Sequence, residues 1–197
     1  MRGAMAGALG AAAERVNPAQ APQLRAVFPA MRLLRDFAIG DRQRLGPIWA
    51  SRHEAVEFAR KYDPQPFHLS DEGAEGHPFF RGLALSGWLT CALLMRLIVD
   101  DMRQNPVALI GSPGVERIRW KAPVYPDDRL MLETVVTGLH RLPRRDDVGV
   151  VRLLLHAWNR ERVKVLEADL SLLVATERRQ AHWGAFGRGA RPVAQTQ

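Results

Sequence analysis

The chain holds a single cysteine, Cys91, among 197 residues. One thiol excludes an internal disulfide and any cysteine-rich zinc site. Lysine is nearly as scarce: Lys61, Lys121 and Lys164 are the only three of 28 basic residues. Arginine therefore carries almost all of the positive charge, and the formal net charge is +7. No acidic residue follows Glu177, so Arg178, Arg179, Arg188 and Arg191 leave a basic end. No run approaches the roughly 20 apolar residues that span a bilayer. The longest candidate, Leu83–Val99, is interrupted by Ser86, Gly87, Thr90 and Arg96. Met1–Ala13 lacks the Leu/Val/Phe-rich centre of a secretory signal. These absences point to a cytoplasmic protein with no membrane partner. There is also no zinc-finger spacing, no aromatic RNA-binding signature and no basic helix feeding a heptad. The basic excess is therefore read as solvated arginines and a basic tail, with no nucleic-acid partner. A diffuse positive field that draws in a phosphorylated small molecule fits the same charge.

What is present is enough for one folded domain. Hydrophobic residues make up 47% of the chain, which argues against wholesale disorder. Residues 1–34 read as an Ala/Pro-rich extension, 35–176 as the domain, and 177–197 as a basic, disordered tail. Ser51-Arg52-His53-Glu54 is a capping box, and Ala55, Val56, Phe58, Ala59 and Tyr62 follow at helical spacing. Pro64 and Pro66 stop that helix, so Tyr62–His68 is expected as a rigid extended turn. Leu83–Met102 is apolar nearly all round, which predicts a buried helix with Cys91 as a packed thiol. From Val115 onward the period changes to two, with charged turns at Pro143–Asp147 and Asn159–Arg162. The expected fold is α+β, an antiparallel sheet wrapped around one central buried helix.

Two places could carry chemistry. Asp63 and His68 lie five residues apart on a segment stiffened by two prolines. A carboxylate and an imidazole facing one pocket can hold and polarise a water between them. An Asp that caps a turn, with a surface His, is the competing structural reading. Downstream, Gly82-Leu83-Ala84-Leu85-Ser86-Gly87-Trp88 opens the buried helix. A glycine there leaves an approachable N–H at the positive end of the helix, suited to a thioester oxygen gaining negative charge. Glycine for close helix–sheet packing is the alternative.

Asp63-Pro64-Gln65-Pro66-Phe67-His68 resembles the Asp-x-Asn-Pro-x-His motif of the MaoC-like dehydratases, the (R)-specific or type-2 enoyl-CoA hydratases. The likeness runs from Phe37 to Thr176. It includes Phe80, Gly82-Leu83, Ser86-Gly87-Trp88, Gly111-Ser112-Pro113-Gly114, Arg119-Trp120, Pro123-Val124 and Pro126-Asp127-Asp128. The resemblance implies a hot-dog fold, a homodimer, and an acyl-CoA tunnel at or near the subunit interface. It implies Asp63 and His68 as the catalytic pair and Gly87 as the backbone donor to the thioester carbonyl. Gln65, Pro66, Ser86, Trp88 and Arg81 are the implied substrate-side residues. Gln65 departs from the usual Asn, Ser86 from a His found in some members, and Arg81 from a small residue.

The expected reaction is reversible addition of water across the 2,3 double bond of a trans-2-enoyl-CoA. It needs no metal, and no cofactor beyond the CoA that the substrate carries. A hot-dog thioesterase is the alternative enzyme, but its carboxylate would sit on the central helix, and Leu83–Val99 carries none. A non-catalytic acyl-CoA-binding domain is the third reading.

Overall fold

A computed structural model describes residues 31–143 and 145–177. The readings made for Met1–Ala13 and for the basic tail after Glu177 fall outside the described residues. Strand β1 (Arg42–Ile48) leads to helix α1 (Arg52–Tyr62), the short α2 (Pro66–Leu69) and the long α3 (Gly87–Gln104). Four strands follow: β2 (Leu109–Trp120), β3 (Leu130–Leu142), β4 (Arg145–Trp158) and β5 (Lys164–Ala175). They join β1 in one antiparallel sheet of order β1-β3-β4-β5-β2.

Side-chain alternation decides which face of the sheet meets the helix. Leu132, Leu153, Leu155, Leu170 and Leu172 point inward and are buried. Leu89, Leu94, Ile98 and Met102 of α3 join them in one core cluster. The opposite face carries a row with one residue from each strand: Arg44, Glu133, His156, Glu167 and Arg119 in register. It reads arginine, carboxylate, imidazole, carboxylate, arginine, and burial holds the His156 pKa down. Arg44 pairs with Glu133 at 3.2 Å, and Arg117 pairs with Asp169 at 2.8 Å on the same face. Several of the arginines thus serve as partners for strand carboxylates on a solvated sheet face, each pair contributing little in water.

Local chemistry explains the element ends. The Ser51 hydroxyl accepts from the Glu54 N–H at 3.2 Å, and the Glu54 carboxylate accepts from the Ser51 N–H at 2.8 Å. This is the capping box read from the sequence, and it starts α1 where expected. Asp63 ends that helix as its C-cap. Pro47, without an N–H to give, lies on edge strand β1, where sheets tolerate proline.

Three readings of local structure change. The buried helix begins at Gly87, not at Leu83. Leu83, Ala84 and Leu85 form an extended buried segment instead. The Leu83 N–H donates to Asp71, Ala84 N–H to the Phe67 carbonyl, and Leu85 N–H to the Val124 carbonyl. An apolar run packed on all sides has no period that separates helix from strand, so its start was not visible. Second, Pro66–Leu69 is a turn of helix rather than extended chain. Proline is well suited to the first helical position, so Pro66 begins α2 as readily as it ends α1. Third, Leu33 and Leu34, assigned to the extension on composition, are buried, and Arg32 bridges to Val107. The packed body therefore starts a few residues earlier.

Candidate active site

Asp63, at the end of α1, and His68, on α2, are brought together by the short turn between them. The Gln65 N–H donates to the Asp63 carbonyl and the His68 N–H to the Gln65 carbonyl, which laces the turn shut. Ala84, on the extended segment before α3, accepts from His68 Nδ1 at 2.8 Å. A carbonyl only accepts, so Nδ1 carries a proton and Nε2 is the nitrogen turned toward Asp63. Nε2 lies 3.5 Å from Asp63 Oδ2, and both side chains are largely buried, 7% and 17% exposed. That separation is long for a direct hydrogen bond, and a water can bridge the two groups.

Both carboxylate oxygens of Asp63 are held. Oδ2 accepts from the Ser86 hydroxyl at 2.7 Å, and Oδ1 accepts from the Gln65 amide at 2.8 Å. Burial pulls the Asp63 carboxyl upward, but the Ser86 and Gln65 donors and the neighbouring His68 ring together outweigh it. The net pKa lies below the ordinary carboxylate value. Asp63 is therefore ionised at neutral pH, the form that can accept a proton.

Ser86 is fully buried and has a second task as N-cap of α3, its oxygen accepting from the Trp88 N–H at 3.2 Å. One hydroxyl thus ties the carboxylate to the start of the central helix. Next to it, the Gly87 N–H has no hydrogen-bond partner among the described residues, as expected for the first turn of a helix. A side chain at Gly87 would place its Cβ 2.7 Å from the Trp120 ring.

Asp63, Gln65, His68, Gly87 and Trp88 all border one cleft of about 480 Å³. Its apolar walls include Phe67, Phe80, Leu85, Trp120 and Val124. The remaining substrate-side expectations fall elsewhere. Ser86 stands behind Asp63 and does not line the cleft. Pro66 is exposed and sets the start of α2. Arg81 stacks its guanidinium 4.3 Å over the Tyr125 ring, in a neighbouring hollow that it shares with Arg52 and Asp71. Its backbone N–H donates to the Tyr125 hydroxyl at 3.1 Å. Trp120, read in the sequence only within the Arg119-Trp120 match, is a wall residue that was not assigned to the site. It enters from the far end of β2, and its neighbours in sequence give no hint of the glycine it meets. Cys91 sits half-buried behind it. Burial pushes the thiol up, partly opposed by the nearby Trp120 indole, which fits a packed thiol.

Removing the Ser86 hydroxyl should move a pH profile. With Asp63 as base, its depressed pKa would keep it ionised to lower pH, and the acid limb of kcat/KM should lie below the usual carboxylate range. Ser86→Ala takes away a lowering contact, and the acid limb should shift to higher pH. An unshifted limb in the variant would show that Ser86 does not tune the carboxylate. The same depression makes Asp63 stabilise the fold above its unfolded pKa, and that contribution fades as pH falls through its lower folded value.

A sheet wrapped on one helix defines a hot-dog domain, and the carboxylate–imidazole pair at the start of that helix is its candidate acid–base site. Residues 36–158 match the family described as MaoC like domain, and the chain belongs to that family of dehydratases and hydratases. A curated relative, the uncharacterized protein YdeM of Bacillus subtilis (strain 168), is 31% identical over 141 residues. That match covers 72% of this chain and 97% of YdeM. The MaoC-like dehydratase from Rhodospirillum rubrum is 33% identical with a TM-score of 0.66, covering 74% of this chain and 98% of that one. The R-hydratase PhaJ1 from Pseudomonas aeruginosa shares the fold at 20% identity and a TM-score of 0.53, over 74% of this chain and 86% of its own. Among the described residues no helix is long and apolar enough to cross a membrane, and no cluster of His, Cys, Asp and Glu could hold a metal ion.

Proposed function

We propose that the protein adds water reversibly across the 2,3 double bond of a trans-2-enoyl-CoA, giving a 3-hydroxyacyl-CoA. The observation that carries this is the ionised Asp63 and the Nε2 of His68, 3.5 Å apart on one cleft with an unpartnered Gly87 N–H. Asp63 takes a proton as the water oxygen adds to C3, and the Asp63–His68 pair delivers a proton to C2. Charge that builds on the thioester oxygen is met by the Gly87 N–H and the positive end of α3. The apolar walls suit an acyl chain. Family membership with dehydratases and hydratases supports the same reaction type. The acidic residues of α3, Asp100 and Asp101, lie in its last turns, far along the helix from Gly87, which disfavours thioester hydrolysis by a helix carboxylate.

The active form proposed is a homodimer. Trp88, Ala92 and Met95 leave an exposed apolar stripe along α3, which a second copy would cover. The test is loss of the conjugated enoyl-thioester absorbance with a panel of enoyl-CoAs of different length. The same preparation should sediment at about twice the 22.1 kDa chain mass. Release of free thiol from saturated acyl-CoA, without hydration, would overturn the reading in favour of a thioesterase.

A further inference from the structure

We infer that Trp120 is the positioning residue for the Gly87 N–H, an inference that rests on the function proposed above. Trp120 closes β2 and is paired with Leu166 of β5, so its backbone belongs to the sheet and not to a loop. From there the side chain grips the first turn of α3 at three points. Its indole N–H donates to the Gly87 carbonyl at 3.0 Å. Its ring fills the space that a Cβ on residue 87 would need, with Cε2 and Nε1 at 2.7 Å. It also meets the Trp88 ring edge-to-face at 5.5 Å.

The first turn of a helix is where it frays, because its N–H groups have no partner behind them. A donor that stabilises developing charge must be fixed before the reaction, not recruited during it. Ser86 holds the start of α3 from the Asp63 side. Trp120 holds it from the sheet side. Between them the Gly87 N–H keeps a fixed position relative to the Asp63–His68 pair. Glycine at 87 is then required by the tryptophan, since no side chain fits under the indole. Trp120 also borders the cleft, so a simple wall role must be separated from a positioning role.

Two variants make that separation. Trp120→Phe keeps a ring and removes the N–H donor. Site-specific replacement of the indole by benzothiophene keeps the bicyclic shape and removes only the donor, which guards against loss of fold. Each is compared with the full-length wild type in two measurements. One is kcat and KM for enoyl-CoA hydration. The other is the infrared carbonyl band of a bound saturated acyl-CoA labelled with carbon-13 at the thioester, which binds without turnover.

A positioning role lowers kcat about tenfold while KM stays within about twofold, and it shrinks the downshift of the bound carbonyl band. Wild-type kcat and band position in both variants would overturn the inference. So would a raised KM with unchanged kcat, which is the signature of a wall. If the wild type hydrates no enoyl-CoA but still polarises the labelled carbonyl, and the variants lose that shift, the hydration reading fails and the positioning of Gly87 by Trp120 stands.

Discussion

Asp63→Asn is expected to lower the hydration rate by about 10³-fold, within the range that a positioned general base supplies. The change keeps the size of the side chain and removes its charge. An amide oxygen can still accept the 2.7 Å bond from Ser86, and the Gln65 amide can rotate to meet the new NH₂ group. The melting temperature should fall only modestly, by the stabilisation that the ionised carboxylate gave, while the rate collapses. His68→Ala should also remove activity, but less cleanly. His68 is buried, and its loss leaves the Ala84 carbonyl without the 2.8 Å bond it accepts. An unsatisfied buried carbonyl costs about 1–3 kcal/mol, so that variant should melt earlier as well. The measurement is the fall in enoyl-thioester absorbance, read beside thermal unfolding. Wild-type rates in either variant would remove Asp63 or His68 from the assigned role.

Gly87→Ala is the second large effect. Alanine is comfortable in a first helical turn, and Gly87 does not adopt a left-handed backbone, so conformation alone raises no objection. The objection is steric. The added Cβ would sit 2.7 Å from two atoms of Trp120, and the indole must move with the hydrogen bond it donates to the Gly87 carbonyl. Overpacking of this kind destabilises by about 1–3 kcal/mol. The displaced N–H should lower kcat by about 10²-fold, as loss of one oxyanion donor does. Thermal unfolding and kcat together test it: unchanged values in both would mean that the contact does not constrain the helix start.

The two central residues of the candidate site stand out in the sequence because they are close in the chain. Asp63, Gln65 and His68 sit within six residues, and prolines on either side of Gln65 leave the turn few conformations. Gln65 was expected on the substrate side. It borders the cleft and also holds the carboxylate. Ser86 was expected there too, yet it is buried behind Asp63, because an N-cap hydroxyl turns back toward the helix it starts. Arg81 was drawn away by Tyr125, 44 residues later in the chain. Trp120 reaches Gly87 across 33 residues. Neither pairing leaves a mark on local periodicity.

The basic excess follows the same division. Its amount is a property of composition. Its placement was decided by sheet register, which sets Arg44 and Arg117 beside strand carboxylates on the solvated face. Sequence alone determined the capping box, the proline-stiffened turn, the body of the central helix and the alternating strands, since each depends on neighbours within a few residues. The exposed Trp88, Ala92 and Met95 show, however, that α3 is buried on one side and not all round. The tertiary structure decided where α3 begins, what holds both oxygens of Asp63, and which ring lies under Gly87. Those outcomes depend on contacts between elements distant in the chain, and they exist only once the sheet has closed on the helix.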